Sequence, residues 1–178
     1  MFDGRVTHAS RDHLRATVEP ARDAVARVSA LQAEPRRADP EDVDWLVALV
    51  ARCAASREPP DDEEAARALG ALVRTEVRDA ALYAVPRDSA LAHLQVWADL
   101  LRRAPHALVP DAATLTAFCA WQAGDGALAW CALERCFEVD PHHPLGLCLA
   151  ECLTRAVPPS AWHDAEPRGP DPGCGVEG

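Results

Sequence analysis

Residues 117–141 read AFCAWQAGDGALAWCALERCFEVDP, and this stretch decides the fold. Small and aromatic residues run in a helical pattern up to Gly124-Asp125-Gly126, where the pattern breaks. Glycine adopts, without steric cost, the left-handed backbone that commonly ends a helix, and Asp125 is suited to cap the helix that follows. Leu128, Ala129, Ala132, Leu133, Cys136 and Phe137 then recur on one helical face until Asp140-Pro141 forbids continuation. Ala117, Ala120, Ala129 and Ala132 allow two antiparallel helices to approach closely, and Phe118, Trp121, Leu133 and Phe137 fill the space that remains. The stretch predicts a helical hairpin, 110–123 with 125–139, turning at Gly124.

Proline and Asp/Ser punctuation divides the rest of the chain into helices as well. Ser10 caps a short helix through Val18, and Pro20 begins another to about residue 33, with Val25, Val28 and Leu31 as its weak apolar face. Asp39-Pro40 is a strong start; Val43, Leu46, Val47, Val50 and Cys53 follow at helical spacing, and Pro59-Pro60 ends that helix. Asp61-Asp62-Glu63-Glu64 opens the next, where acids in a first turn complement the helix dipole. It carries Leu69, Leu72, Val73 and Tyr83 and stops at Pro86. Asp88 or Ser89 opens a helix burying Leu91, Leu94, Trp97, Leu100 and Leu101. A last helix, 144–156, shows the stripe Leu145, Cys148, Leu149, Cys152 and Leu153, and Val157-Pro158-Pro159 stops it. No alternating strand pattern of useful length occurs. The expected fold is all-α, built of antiparallel helical hairpins. Residues 1–38 read as loosely packed helices or linker, 39–162 as the helical domain, and 163–178 as a disordered tail.

The 178 residues suffice for one core, and 49% hydrophobic content agrees with a globular protein. The formal charge is −10, from 28 acidic and 18 basic residues. Every basic residue is arginine. Without lysine, a P-loop phosphate cradle and Schiff-base chemistry are both excluded. An acidic chain is repelled by phosphate backbones, and Arg36-Arg37 and Arg102-Arg103 build no basic stripe, so no nucleic-acid partner is expected. The segment MFDGRVTHAS lacks the apolar core of a signal peptide, and no window approaches a membrane span. The seven cysteines, mostly in apolar helical stripes, read as reduced thiols serving as small hydrophobes in a cytoplasmic protein.

Residues 117–141 match the tetratricopeptide pattern without a gap: the glycine-aspartate turn, the small positions Ala129 and Cys136, and the terminal Asp140-Pro141 all fall in place. A binding array needs about three such units, so the earlier helices are expected to cover this one. A longer resemblance joins W-x-x-L-L-R-R-x-P from Trp97, A-W-Q-A-G-D-G-A-L-A, E-V-D-P and V-P-P-S-A-W ending at Trp162. These residues resemble the C-terminal half of an uncharacterised actinobacterial domain-of-unknown-function family, the one numbered four thousand one hundred and ninety-two. GRVTHASRDHLRATVEP resembles a linker inside it. The resemblance implies a further N-terminal region in other members. It brings no activity, cofactor or catalytic residue.

Cys131, Cys136, His142, His143, Cys148 and Cys152 lie close in sequence, and Cys148 and Cys152 are one helical turn apart. No C-x-x-C pair is present, so core packing of these thiols is expected over zinc. A nucleophilic Cys148 would need a histidine held beside it; His142-His143-Pro144 reads as a solvated turn. Cys174 in the tail is the most exposed thiol. Glu134 and Glu138, one turn apart, fit a solvated face. No G-x-S-x-G elbow and no H-E-x-x-H helix occurs. We therefore expect no catalytic, metal or cofactor site. The structural hairpin rests on Trp121, Gly124, Asp125, Ala129, Leu133, Cys136 and Pro141, and a partner groove is expected around Trp97, Trp130 and the last helix. The expected function is a non-enzymatic interaction module for an unknown protein partner. The alternative is the accessory half of a larger enzyme.

Overall fold

The computed structural model describes residues 11–32 and 39–164. In chain order the helices are α1 (Arg11–Val18), α2 (Arg22–Leu31), α3 (Asp42–Ser56), α4 (Asp62–Ala71), α5 (Thr75–Tyr83), α6 (Ala90–Arg103), α7 (Val109–Gln122), α8 (Gly126–Val139), α9 (Pro144–Thr154) and α10 (Ser160–Asp164). The class is all-α, with no strand among the described residues. The Ser10 cap, Cys174 and residues 165–178 of the expected tail lie outside the described residues.

α7 is the axis of the molecule. It packs against α8 and α6 along its length, and against α5 and α9 as well. Every residue of α7 except Asp111 is buried. Enclosure on all sides suits its sequence, which is apolar or small all round rather than striped. Its two threonines turn their hydroxyls onto their own helix: Thr114 Oγ1 donates to the Asp111 carbonyl at 2.9 Å and Thr116 Oγ1 to the Ala112 carbonyl at 2.8 Å.

The turn into α8 is a Schellman motif. Gly124 has φ +82°; its N–H donates to the Trp121 carbonyl at 2.9 Å, and the Asp125 N–H donates to the Ala120 carbonyl at 2.8 Å. Asp125 Oδ1 accepts from the Leu128 N–H at 2.9 Å and so caps α8. Beyond α8, α9 approaches closely because Gly146 has no side chain; a Cβ there would stand 3.0 Å from a ring carbon of Phe137 and 3.3 Å from Cys136 Sγ.

Several sequence expectations need correction. The helix expected to run from Asp61 to Pro86 is two helices, broken at Arg74, whose backbone is extended. The break turns Val77 into the core and leaves Val73 and Tyr83 outside, at 67% and 64% exposure. Leu91 and Leu31 are likewise exposed, and Ala24 joins Val28 as the buried face of α2. In α9 the stripe narrows to Leu149 and Gly146, with Cys148 exposed. The N-terminal helices are not loosely packed: Val18 and Val28 are fully buried. α1 lies on α8 and α6, and α2 on α4 and α6. α10 extends to Asp164, past the expected start of the tail. Its Trp162 stacks on Tyr83 with ring centroids 5.6 Å apart and meets Phe118 edge-on at 5.1 Å.

At the α4 start, Asp61 and Glu64 form a reciprocal capping box. Asp62 pairs with Arg27 at 2.6 Å and Arg103 at 3.2 Å, tying α4 to α2 and α6.

Deleting the buried Trp121 ring (5% exposed, its Nε1–H donating to the Val157 carbonyl at 3.1 Å) removes both packing and a hydrogen bond. Trp121→Ala should cost about 3–5 kcal/mol by denaturant unfolding. Gly124→Val should cost roughly 1–2 kcal/mol from backbone strain alone, since no atom lies within 4 Å of an added Cβ. Glu138→Ala, on the exposed side of α8, should stay within about 0.5 kcal/mol of wild type. A Trp121→Ala variant as stable as Glu138→Ala would contradict the packing described.

Candidate binding groove

The hairpin residues come together as a packing unit. Ala129, Leu133 and Cys136 are fully buried, Trp121 nearly so, while Pro141 is exposed beyond the end of α8. The groove expected around Trp97 and Trp130 does not form. Trp97 is 0% exposed and belongs to the core of α6, whereas Trp130 is 38% exposed on α8. Helix periodicity put Trp97 on the buried face of its helix, whereas Trp130 lies off the apolar face of α8 (Leu128, Ala129, Ala132, Leu133, Cys136).

Concave surface lies in other places. A cleft of about 540 Å³ separates α1 from α8, lined among others by Arg15, Glu19, His106, Glu134, Arg135 and Glu138. Most of its charge is already engaged. Glu134 does not sit on a free solvated face: it pairs with Arg11, and with Arg15 at 3.0 Å, and the Arg15 bond holds its carboxyl below the usual range. Arg135 donates Nη1 to the Val18 carbonyl and, at 3.2 Å, to the Leu101 carbonyl. It thereby satisfies the carbonyl that ends α1 and adds a second donor to the Leu101 carbonyl of α6, which also accepts from the Ala104 N–H at 3.2 Å. Burial pulls its pKa below the usual arginine value. This cleft is a seam between helices.

The second concavity is different in kind. A groove of about 270 Å³ runs between α3, α5 and α6. Val47, Val50, Ala51, Ala54 and Ala55 of α3, Ala81 of α5, Ala84 and Pro86 beyond it, and Ala92 of α6 form its apolar walls. Ser89 and His93 supply its polar groups. The His93 ring is buried, with Nδ1 3.1 Å from the Ser89 carbonyl oxygen and 3.3 Å from Ser89 Oγ. The groove exists because alanine stands where larger side chains would close the gap between α3 and α5. An apolar concavity with a few convergent polar groups is the form of a binding site. Sequence reading missed it, since alanine reads only as a good helix former; the signal was the alanine density of 51–55 and 80–84 at positions where helices meet.

The cysteine and histidine cluster is dispersed. Cys131 and Cys136 are buried, Cys148 is exposed and Cys152 half-buried. Among the described residues no group of three or more His, Cys, Asp or Glu side chains is arranged to hold a metal ion. His143 is not in a solvated turn, as its sequence neighbours suggested. It is buried at 6% exposure, its Nδ1 accepts from the Gly146 N–H at 3.2 Å to cap α9, and its Nε2 lies 3.2 Å from Asp111 Oδ1. Arg78 Nη1 reaches the same Asp111 oxygen at 3.3 Å. Both ring nitrogens of His143 are thus committed to structure. Burial pushes the Cys136 thiol up to about 12 and Cys119 higher still, the opposite of what a nucleophile needs.

The family described as Domain of unknown function (DUF4192) matches residues 1–160, and the chain belongs to that family. No curated protein and no solved structure matches the chain. No helix among the described residues is long and apolar enough to cross a membrane.

The raised thiols predict alkaline sensitivity. Cys119 and Cys136 ionise near the usual 9.0 in the unfolded chain but higher when folded. Above pH 9.0 the unfolded chain therefore holds fewer protons than the folded one. The stability these protonated thiols contribute is complete below that pH and is lost progressively towards about 12. Melting temperature should fall more steeply over this range in the wild type than in a Cys119→Ala/Cys136→Ala variant. Equal slopes would show that the two thiols are not held protonated by burial.

Proposed function

We propose that this member of the family is an interaction module of the cytoplasm, which receives an apolar segment of a partner protein in the groove between α3, α5 and α6. The observation that carries the reading is the groove itself: alanine and valine walls, two polar groups at one place, and no side chain of the described residues filling it. The hairpin of α7 and α8 supports it, because its turn, its small positions and its Asp-Pro end follow the tetratricopeptide pattern of protein-binding scaffolds. Placement in a reducing compartment is supported by Cys53, Cys119, Cys131, Cys136, Cys148 and Cys152, all of which are free thiols.

Ala51 lines the groove yet is exposed, so Ala51→Trp fills the site without disturbing the core. Peptides selected from a displayed random library on the wild-type protein should lose at least about tenfold in affinity on Ala51→Trp, a difference of about 1.4 kcal/mol. Circular dichroism should show the variant still folded. Selected peptides that bind both proteins alike, or a selection that enriches none, would sink the reading.

A further inference from the structure

Side-chain oxygens of Asp61 and Asp125 cap α4 and α8, but α9 is capped by an imidazole. His143 Nδ1 accepts from the Gly146 N–H at 3.2 Å, so that nitrogen carries no proton. The neutral ring then bears its hydrogen on Nε2, which donates to Asp111 Oδ1 at 3.2 Å. Only this one form of the ring does both jobs. A second proton would have to enter at Nδ1, where it would leave two N–H donors facing each other. The usual capping residues are Asn, Asp, Ser and Thr, and histidine alone ordinarily changes its charge near neutral pH.

We propose that His143 is an acid-sensitive latch, whose protonation uncaps α9 and loosens that helix from α7 and α8 while the rest of the chain stays folded. The groups around the ring direct the change to α9. Asp111 of α7 holds Nε2, and a carboxylate attracts the charged ring more than the neutral one. Arg78 of α5 reaches the same oxygen at 3.3 Å and pairs with Asp79 at 3.1 Å, which fixes that carboxylate in place. Just beyond α8, the Asp140 carbonyl accepts from the His143 N–H at 3.2 Å, and the Asp140 carboxylate accepts from the His142 N–H at 3.0 Å. Cys136 of α8 stays protonated, its thiol pushed up to about 12 by burial. The first turn of α9, Pro-Leu-Gly-Leu, has no charged side chain and so no acceptor for a new N–H. The ring is pinned, so the helix must move. It has no room inward, where a Cβ on Gly146 would already stand 3.0 Å from Phe137 and 3.3 Å from Cys136 Sγ. Movement outward uncovers both of those residues.

The test follows hydrogen–deuterium exchange of the full chain from about pH 7.5 to about pH 5, where an ordinary histidine titrates and ordinary carboxylates remain charged. Rates are referred to those of an unstructured chain at each pH, and the ring-nitrogen NMR signals of His143 are followed in parallel. Amides of α9 should lose protection about 5–10-fold as the His143 ring takes up its proton, while those of α6 and α7 keep theirs. His143→Asn supplies a capping oxygen that does not titrate in this window, and it should abolish the pH dependence of α9. A variant that loosens as the wild type does would overturn the proposal. So would a ring that takes up no proton in the window, or α9 protection that does not follow the ring. Protection lost equally from α6, α7 and α9 would be general acid unfolding, and would overturn it too. Should His143→Asn not fold, the coincidence of ring titration and α9 loosening in the wild type remains decisive.

Discussion

The enclosure of α7 governs everything around it. A helix buried on every side has no solvated face on which to place a charge, and its one long polar side chain, Gln122, is buried with neither amide atom hydrogen-bonded; its neighbours can come only as close as its side chains permit. The alanines and short polar residues of α7 bring α6 and α8 close, and Gly146 then lets α9 close over Cys136 and Phe137. The charged groups that lock this arrangement stand at its ends. Asp111, the one residue of α7 not buried, receives both Arg78 from α5 and His143 from the loop before α9.

Much of this was legible in the sequence because it was written in residues with narrow conformational meaning. Gly124, Asp125 and Pro141 mark a turn, a cap and a stop, and the helices on either side of Gly124 begin and end within a residue or two of their expected places. What escaped was written in residues with broad meaning. The ends of α3 and α9 adopt left-handed backbone at Arg57 (φ 60°) and Ala156 (φ 51°), where no glycine announces it. At the break the Arg74 guanidinium donates to the distant Asp39 carbonyl at 2.8 Å and pairs with its near neighbour Glu76 at 2.8 Å, contacts that no local pattern announces. Periodicity marks which residues are apolar together but not which faces find cover, so Leu91 and Leu94 were read alike, yet Leu94 is buried and Leu91 is exposed.

The groove illustrates the same limit from the other side. An absence of bulk has no sequence signature as strong as its presence, and alanine is read as helix former before it is read as empty volume. Only when α3, α5 and α6 are set side by side does the shortness of Ala51, Ala54, Ala55, Ala81, Ala84 and Ala92 become a shape. His93 acquires meaning in the same way. In sequence it is one of seven histidines; in the fold it is a buried ring at the edge of the groove with Nδ1 3.1 Å from the Ser89 carbonyl oxygen.

The clamp of Arg135 on the Val18 carbonyl spans 117 positions of the chain. An eight-residue helix such as α1 has little stability by itself in water, and what holds it is made of residues that leave the ribosome long afterwards. At about 5–20 residues per second of synthesis, α1 waits roughly 6–25 s for α8 to emerge. α1 is therefore made well before the residues that fix it in place. During that interval the nascent chain presents Val18, and the open carbonyls at the end of α1, to whatever else is near the ribosome.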